Sequence, residues 1–117
     1  MNINLPFFKS VAAIEQLNVA AVHALWQQSP PDLVLLDVRQ PEEWREGIIP
    51  GALKISLADL LHQLATLAPE KRYVLVCRSG NRSGTAANLM HKAGFTRLAN
   101  FQGGMLAWND QHYPLER

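Results

Sequence analysis

The single cysteine of the chain, Cys77, directly follows an apolar run, YVLV, and opens a short polar loop, RSGNRS at 78–83. The loop contains one glycine, Gly80, and two arginines, Arg78 and Arg82. A glycine lets a tight loop turn its backbone N–H groups inward, and N–H groups arranged in this way bind anions. The nearest candidate anion is the thiolate of Cys77. The pattern therefore indicates a nucleophilic cysteine whose pKa lies below the ordinary value of about 8.5.

The whole loop is predicted to surround the sulfur. We expect a ring of backbone N–H groups from six consecutive residues, namely Arg78, Ser79, Gly80, Asn81, Arg82 and Ser83. Ser83 can also cap the next helix while its hydroxyl hydrogen-bonds the sulfur. For Arg82 the alternative is an ion pair with a carboxylate such as Asp37, and for Arg78 it is a solvated surface charge. For Cys77 the alternative is a buried core cysteine, which the polar residues after it do not favour.

The spacing within the loop separates two kinds of chemistry. Four residues stand between Cys77 and Arg82. Tyrosine phosphatases have one more residue between their cysteine and arginine, and their loop is sized for a tetrahedral phosphate. A smaller ring of N–H groups suits a single added sulfur atom better than a phosphoryl group.

The elements that must position this loop alternate between strand and helix patterns. Strands are predicted at 11–17, 33–38, 53–55, 73–77 and 95–100. Helices are predicted at 19–28, 41–46, 56–67, 82–92 and 103–110. The third helix is expected to turn four leucines inward, Leu57, Leu60, Leu61 and Leu64. The alternation predicts an α/β fold with a mainly parallel sheet covered by helices on both faces, and ligand sites in such sheets lie beyond the carboxyl ends of the strands.

Two charged residues, Asp37 and Arg39, follow the second strand at the same edge of the sheet as Cys77. They could fix the loop by pairing with nearby charges. The alternative is a strand-end salt bridge with Glu43 or Glu46, which needs no substrate.

Length and composition exclude several classes of protein. The 117 residues fit one domain at 1–117, with a core at about 11–114. The net charge is +1, and the chain has no basic tract that would bind nucleic acid. No apolar stretch is long enough for a membrane span. One cysteine cannot form an internal disulfide, which fits a reducing compartment such as the cytoplasm. The histidines lack the spacing of a zinc site, so no metal is expected.

Three stretches resemble the signature blocks of single-domain rhodaneses, which are thiosulfate sulfurtransferases of small bacterial type. They are LLDVRQPEEWREGIIPGALKISL at 35–57, VLVCRSGNRS at 74–83 and GGMLAWNDQHYP at 103–114. The resemblance covers about residues 17–114. It implies a three-layer α/β/α fold with a five-stranded parallel sheet in the order 1-5-4-2-3. It also implies that no metal or organic cofactor is required.

The resemblance also implies a ping-pong reaction. The thiolate of Cys77 attacks the outer sulfur of a thiosulfate-like donor, sulfite leaves, and Cys77 carries a persulfide. Cyanide, a small thiol or a thiol-bearing protein such as a thioredoxin then takes the sulfur. Two alternatives remain open. One is a sulfur-relay module that delivers the persulfide sulfur to a partner protein. The other is a small cysteine phosphatase or arsenate reductase, against which the short loop argues.

The sequence departs from the family pattern at two positions. Ile48 stands where such rhodaneses usually have a histidine of structural role, and His112 stands where a glycine is common. We expect the second change to alter the final turn and neither change to remove the chemistry.

Overall fold

Strands and helices alternate along the chain in a computed structural model that describes residues 14–117. The strands are β1 Ile14–Leu17, β2 Leu33–Asp37, β3 Leu53–Lys54, β4 Arg72–Val76 and β5 Leu98–Phe101. The helices are α1 Val19–Gln28, α2 Pro41–Trp44, α3 Leu57–Gln63, α4 Asn81–Lys92 and α5 Gly104–Asp110. A short 3-10 turn, Leu64–Thr66, follows α3.

The strands form one five-stranded parallel sheet in the order β1-β5-β4-β2-β3. This confirms the predicted order. β4 lies at the centre, between β5 and β2, and it ends one residue before Cys77. The carboxyl ends of parallel strands meet at one edge of a sheet. The segments that follow β2, β4 and β5 are therefore neighbours, and they build the surroundings of the sulfur.

Helices cover both faces of the sheet, as the alternation predicts. On one face Leu75 of β4 packs in a core with Ala86 and Met90 of α4. On the other face Val74 packs in a core with Trp108 of α5. β4 is apolar on both sides because both of its faces are buried, as is usual for a central parallel strand. Within residues 14–117 no helix has the length and apolar character needed to cross a membrane.

One predicted core residue is wrong. Leu61 is 58% exposed, whereas Leu60 is fully buried and Leu57 and Leu64 pack against the core. Leu57, Leu60 and Leu64 follow the i, i+3, i+7 spacing of one helix face. Leu61 lies about 100° further around the helix than Leu60, so it points into solvent.

Several element boundaries also differ from the prediction. Residues 11–13 of the first predicted strand lie outside the described residues. The last strand begins at Leu98 rather than at residue 95, because the chain is still leaving α4 there. Gly94 has a φ of +103°, and the N–H of Phe95 donates to the carbonyl of Met90 over 3.0 Å. α2 ends at Trp44, two residues earlier than predicted.

Candidate active site

The loop after β4 is shaped by Gly80. This residue precedes α4 with a φ of +101°, a conformation that L side chains rarely adopt. A Cβ atom at this position would collide with the carbonyl of Gln102, which follows β5. A glycine is therefore required for the loop to lie against the end of the neighbouring strand.

The sulfur of Cys77 lies inside this loop. The N–H of Gly80 donates to Sγ over 3.1 Å, and Oγ of Ser83 lies 3.2 Å from Sγ. Cys77 is 1% exposed and Ser83 is completely buried. The predicted contact between the Ser83 hydroxyl and the sulfur is thus present in the structure.

The surroundings of Cys77 favour its thiolate. Burial by itself raises the pKa of the thiol, because it penalises the charged form. The hydroxyl of Ser83 and the backbone N–H groups of Ser83, Gly80 and Ser79 act in the opposite direction. Together they outweigh burial, and the pKa of Cys77 lies below its ordinary value.

The GG pair at 103–104 supports the loop from the other side. The N–H of Met105 donates to the carbonyl of Cys77 over 2.9 Å, and the N–H of Leu106 donates to the carbonyl of Arg78 over 3.0 Å. Gly104 has a φ of +59°, and a Cβ there would collide with both of those carbonyls. The close approach of α5 to the loop therefore depends on this glycine, a role that the sequence analysis missed.

Arg82 does not pair with Asp37, which was the predicted alternative. Its NH1 and NH2 groups donate to the two carboxylate oxygens of Glu43 over 2.6 and 2.8 Å. These hydrogen bonds lower the pKa of Glu43 to about 2 and raise the pKa of Arg82. The ion pair joins α4 to α2, and it turns the guanidinium group toward a protein carboxylate.

Asp37 and Arg39 form a buried ion pair with each other. The Arg39 guanidinium donates to both carboxylate oxygens of Asp37 over 2.9 to 3.1 Å, and the indole N–H of Trp44 donates to the same carboxylate over 3.1 Å. Neither carboxylate predicted as a partner, that of Glu43 or of Glu46, forms a salt bridge with Arg39. The pair fixes the start of α2, and α2 carries the glutamate that binds Arg82.

Three of the remaining loop residues are exposed to solvent. They are Arg78, Ser79 and Asn81, and the hydrogen bonds to the sulfur come from Gly80 and Ser83 instead. Arg78 also borders a cavity of about 320 Å³ whose lining includes Glu46 and Asn109. Charged side chains of both signs therefore border this cavity.

Asn100 belongs to the site, although it is not among the site residues predicted from the sequence. It is buried on β5, accepts a hydrogen bond from the Ser83 hydroxyl, and donates to the carbonyl of Gly80 over 3.2 Å. The sequence does contain a signal for this role, because Asn100 is a polar residue within the otherwise apolar strand LANF. Buried polar groups need hydrogen-bond partners, so such a residue indicates a nearby polar site.

Ile48 occupies the position where the family usually has a histidine. Its side chain is buried, and its backbone exchanges two hydrogen bonds of 2.9 Å with Glu116. The position therefore serves apolar packing and a backbone bridge to the C-terminal segment.

The chain is similar in sequence to known proteins. The family model described as Rhodanese-like domain matches residues 19–111. YtwF of Bacillus subtilis (strain 168) is 37% identical over 101 residues, which cover 86% of this chain and 96% of YtwF. A protein of Allochromatium vinosum named "Sulfurtransferase" is 32% identical over 84 residues, which cover 72% of this chain and 78% of that protein.

Solved structures share the fold. A rhodanese-like domain protein from Staphylococcus aureus has a TM-score of 0.78 at 28% identity, with 88% of this chain and 97% of that chain covered. RPA3614 of Rhodopseudomonas palustris, described as a protein of unknown function and "Possible Tyrosine Phosphatase", has a TM-score of 0.82 at 31% identity, with 92% of this chain and 89% of that chain covered. With its family match over most of its length, the chain belongs to the rhodanese-like family of sulfurtransferase domains.

Proposed function

We propose that the protein transfers sulfane sulfur through a persulfide on Cys77, from a thiosulfate-like donor to a thiol or to cyanide. The observation that carries this proposal is the position of the sulfur. A cysteine with a lowered pKa lies inside a loop whose N–H groups and one hydroxyl converge on it. Such a site stabilises one extra negatively charged sulfur atom.

The first half-reaction begins with the thiolate of Cys77. It attacks the outer sulfur of the donor and forms a new S–S bond. The S–S bond of thiosulfate breaks, and its electron pair leaves on sulfite. The exposed guanidinium of Arg78 is placed to attract the anionic donor.

The second half-reaction returns the enzyme to its starting state. An acceptor thiolate or cyanide attacks the terminal sulfur of the persulfide, and the electron pair of the S–S bond returns to Sγ of Cys77. The N–H of Gly80 and the hydroxyl of Ser83 already contact the sulfur before the reaction, so they are positioned to stabilise its negative charge in both half-reactions. A reducing compartment such as the cytoplasm would keep the single thiol in its active form.

The pairing of Arg82 supports sulfur chemistry over phosphate chemistry. An arginine that binds phosphate must turn its fork of N–H groups toward the phosphate oxygens. Here both terminal nitrogens of Arg82 donate to Glu43. Cys77-dependent turnover of an aryl phosphate at a rate above that of sulfur transfer would overturn this ranking.

Mass spectrometry of the intact protein tests the proposal. After incubation with thiosulfate, the wild type should gain the mass of one sulfur atom, and cyanide or a thiol should remove it. Because Cys77 is the single cysteine, Cys77→Ser contains no thiol and should gain nothing. A wild type that gains no sulfur, or a variant that gains as much as the wild type, contradicts the proposal.

The same persulfide allows a comparison of acceptors. Transfer to a small thiol or cyanide with thiosulfate as an efficient donor supports a thiosulfate sulfurtransferase. A very high KM for thiosulfate, together with fast transfer to a protein thiol such as that of a thioredoxin, supports a sulfur relay instead.

A further inference from the structure

The hydroxyl of Ser83 lies between two acceptors. It is 3.2 Å from the sulfur of Cys77, and it donates to Oδ1 of Asn100. All three residues are buried. A serine hydroxyl has one proton, so it can donate to the sulfur or to Asn100, but not to both.

The orientation of the Asn100 amide decides which of its atoms faces Ser83. Nδ2 of Asn100 lies 3.2 Å from the carbonyl of Gly80 and 2.9 Å from Oε1 of Gln16. A backbone carbonyl can only accept, so the NH₂ group of the amide must face Gly80. Oδ1 must then face Ser83. Asn100 therefore offers Ser83 an acceptor and no donor.

We propose that Asn100 is a positioning residue that directs the Ser83 hydroxyl and thereby governs how readily Cys77 becomes a thiolate. In the thiol form, the S–H group donates to Oγ of Ser83, and the O–H group of Ser83 donates to Asn100. When the thiol proton passes to a solvent base, the Ser83 hydroxyl rotates and donates to the thiolate. Oδ1 of Asn100 then loses its donor, so Asn100 competes with the sulfur for one proton.

The charged groups near the sulfur do not account for this competition. Arg82 on α4 is paired with Glu43 on α2, and Asp37 and Arg39 behind them are paired with each other. The side chain of Arg78 is exposed. None of these groups is changed in the variants below, so differences in the pKa of Cys77 report the hydrogen bonds.

The test is a double-mutant cycle of Asn100→Leu and Ser83→Ala with the pKa of Cys77 as its readout. The ultraviolet absorbance of the thiolate gives this pKa directly, because the chain has one cysteine. Asn100→Leu removes the competing acceptor, but it also removes the donor to Gly80. The Ser83→Ala background measures that second effect alone. With Ser83 present, we expect Asn100→Leu to lower the pKa of Cys77 by about 0.5–1 relative to its effect in the Ser83→Ala background.

The control is Gln16→Leu. It removes the outer partner of the same amide, and it leaves the contact between Asn100 and Ser83 in place. The pKa of Cys77 in this variant should match that of the wild type. If Asn100→Leu changes the pKa equally in both Ser83 backgrounds, Asn100 does not act through Ser83 and the proposal fails.

Infrared spectroscopy of the wild type keeps the proposal testable if a variant does not fold. The single S–H stretching band should lie at the lower wavenumber of a thiol that donates a hydrogen bond. A band at the position of a non-bonded thiol contradicts the proposal. The inference rests on the proposed function only in taking Cys77 as the reacting group. Neither measurement uses a sulfur donor, so a failure of the inference about Asn100 is distinguishable from a failure to form the persulfide.

Discussion

Arg82 and Glu43 connect α4 to α2 through two parallel hydrogen bonds of 2.6 and 2.8 Å. Arg82 belongs to the loop that surrounds the sulfur, whereas Glu43 belongs to a helix that the buried pair Asp37 and Arg39 holds in place. The loop is therefore braced from outside by an ion pair. Its arginine stabilises the position of the loop, and the hydrogen bonds to the sulfur come from the backbone and from Ser83.

Glu43→Gln should remove this brace. Arg82 holds the pKa of Glu43 at about 2, below the ordinary value of 4.5. A carboxyl group with a lowered folded-state pKa contributes stability above its unfolded pKa, and it loses that contribution as the pH falls. The wild type should thus lose about 1–2 kcal/mol of unfolding free energy between about pH 4.5 and pH 2, after allowance for solvent screening. Urea unfolding across this range should show a smaller loss in the variant.

Glu42→Gln provides the matched control for Glu43→Gln. It changes the neighbouring exposed glutamate of the same helix. Its stability should follow the wild-type curve through the same pH range. Equal curves for Glu43→Gln and the wild type would mean that the ion pair contributes nothing to the folded state.

Asp37→Asn should destabilise the whole domain. It leaves the buried guanidinium of Arg39 without its counter-charge, which costs about 3–5 kcal/mol in comparable sites. Denaturant unfolding at neutral pH measures the loss. Asp32→Asn, which breaks an exposed pair with Arg97, should cause no measurable change. A stability loss below about 1 kcal/mol for Asp37→Asn would contradict a structural role for the buried pair.

Gly104→Ala should weaken both stability and sulfur uptake. The added Cβ would collide with the carbonyls of Cys77 and Arg78, so α5 and the loop must move apart. We expect a loss of about 1–3 kcal/mol and a smaller fraction of persulfide after incubation with thiosulfate. Gly51→Ala is the control, since Gly51 also has a positive φ, of +86°, but nothing lies within 4 Å of its added Cβ. Equal effects of the two substitutions would assign the loss to backbone strain alone.

The reactivity of Cys77 should rise at a pH below that of an ordinary thiol. Its pKa is lowered, because the hydrogen bonds from Ser83, Gly80 and Ser79 outweigh burial. The rate of alkylation by iodoacetamide should therefore reach half its maximum below about pH 8.5. By the same linkage, the thiolate contributes stability above the unfolded pKa, and this contribution disappears as the pH falls through the folded pKa.

Two serine variants separate the causes of this pH dependence. Ser83→Ala removes the hydroxyl that lies 3.2 Å from the sulfur, so the midpoint should move to higher pH. Ser79→Ala removes an exposed hydroxyl and retains the backbone N–H, so the midpoint should stay at the wild-type value. A wild-type midpoint at or above that of a cysteine peptide would contradict the lowered pKa.

The sequence was sufficient to predict the sheet and the position of the sulfur. Buried parallel strands appear as continuous apolar runs, and Cys77 stands directly after one of them. The contact between Ser83 and the sulfur is local, because one loop and one helical turn bring the two residues together. The contacts nearest the sulfur are made by residues close to Cys77 in the chain, so a local sequence pattern can indicate them.

The support of the loop was not predictable in the same way. Glu43 lies 39 residues from Arg82 along the chain, and Asn100 lies 17 residues from Ser83. Which carboxylate an arginine selects depends on how helices pack against the sheet. From the sequence, Asp37 is a reasonable partner for Arg82. In the structure, however, Arg39 binds both carboxylate oxygens of Asp37. The prediction that Leu61 lies in the core is wrong for a simpler reason, since leucine is tolerated on an exposed helix face.

Cys77 is 1% exposed, and under the proposed function this burial limits which molecules can exchange sulfur with it. We expect this burial to keep the sulfurs of two copies of the protein apart, so the activated thiolate should not cross-link the protein. A partner must extend a narrow, end-on sulfur or carbon atom into the loop. Hydrogen bonds thus control the reactivity of the Cys77 thiolate, and the burial of the residue separately controls which molecules can contact it.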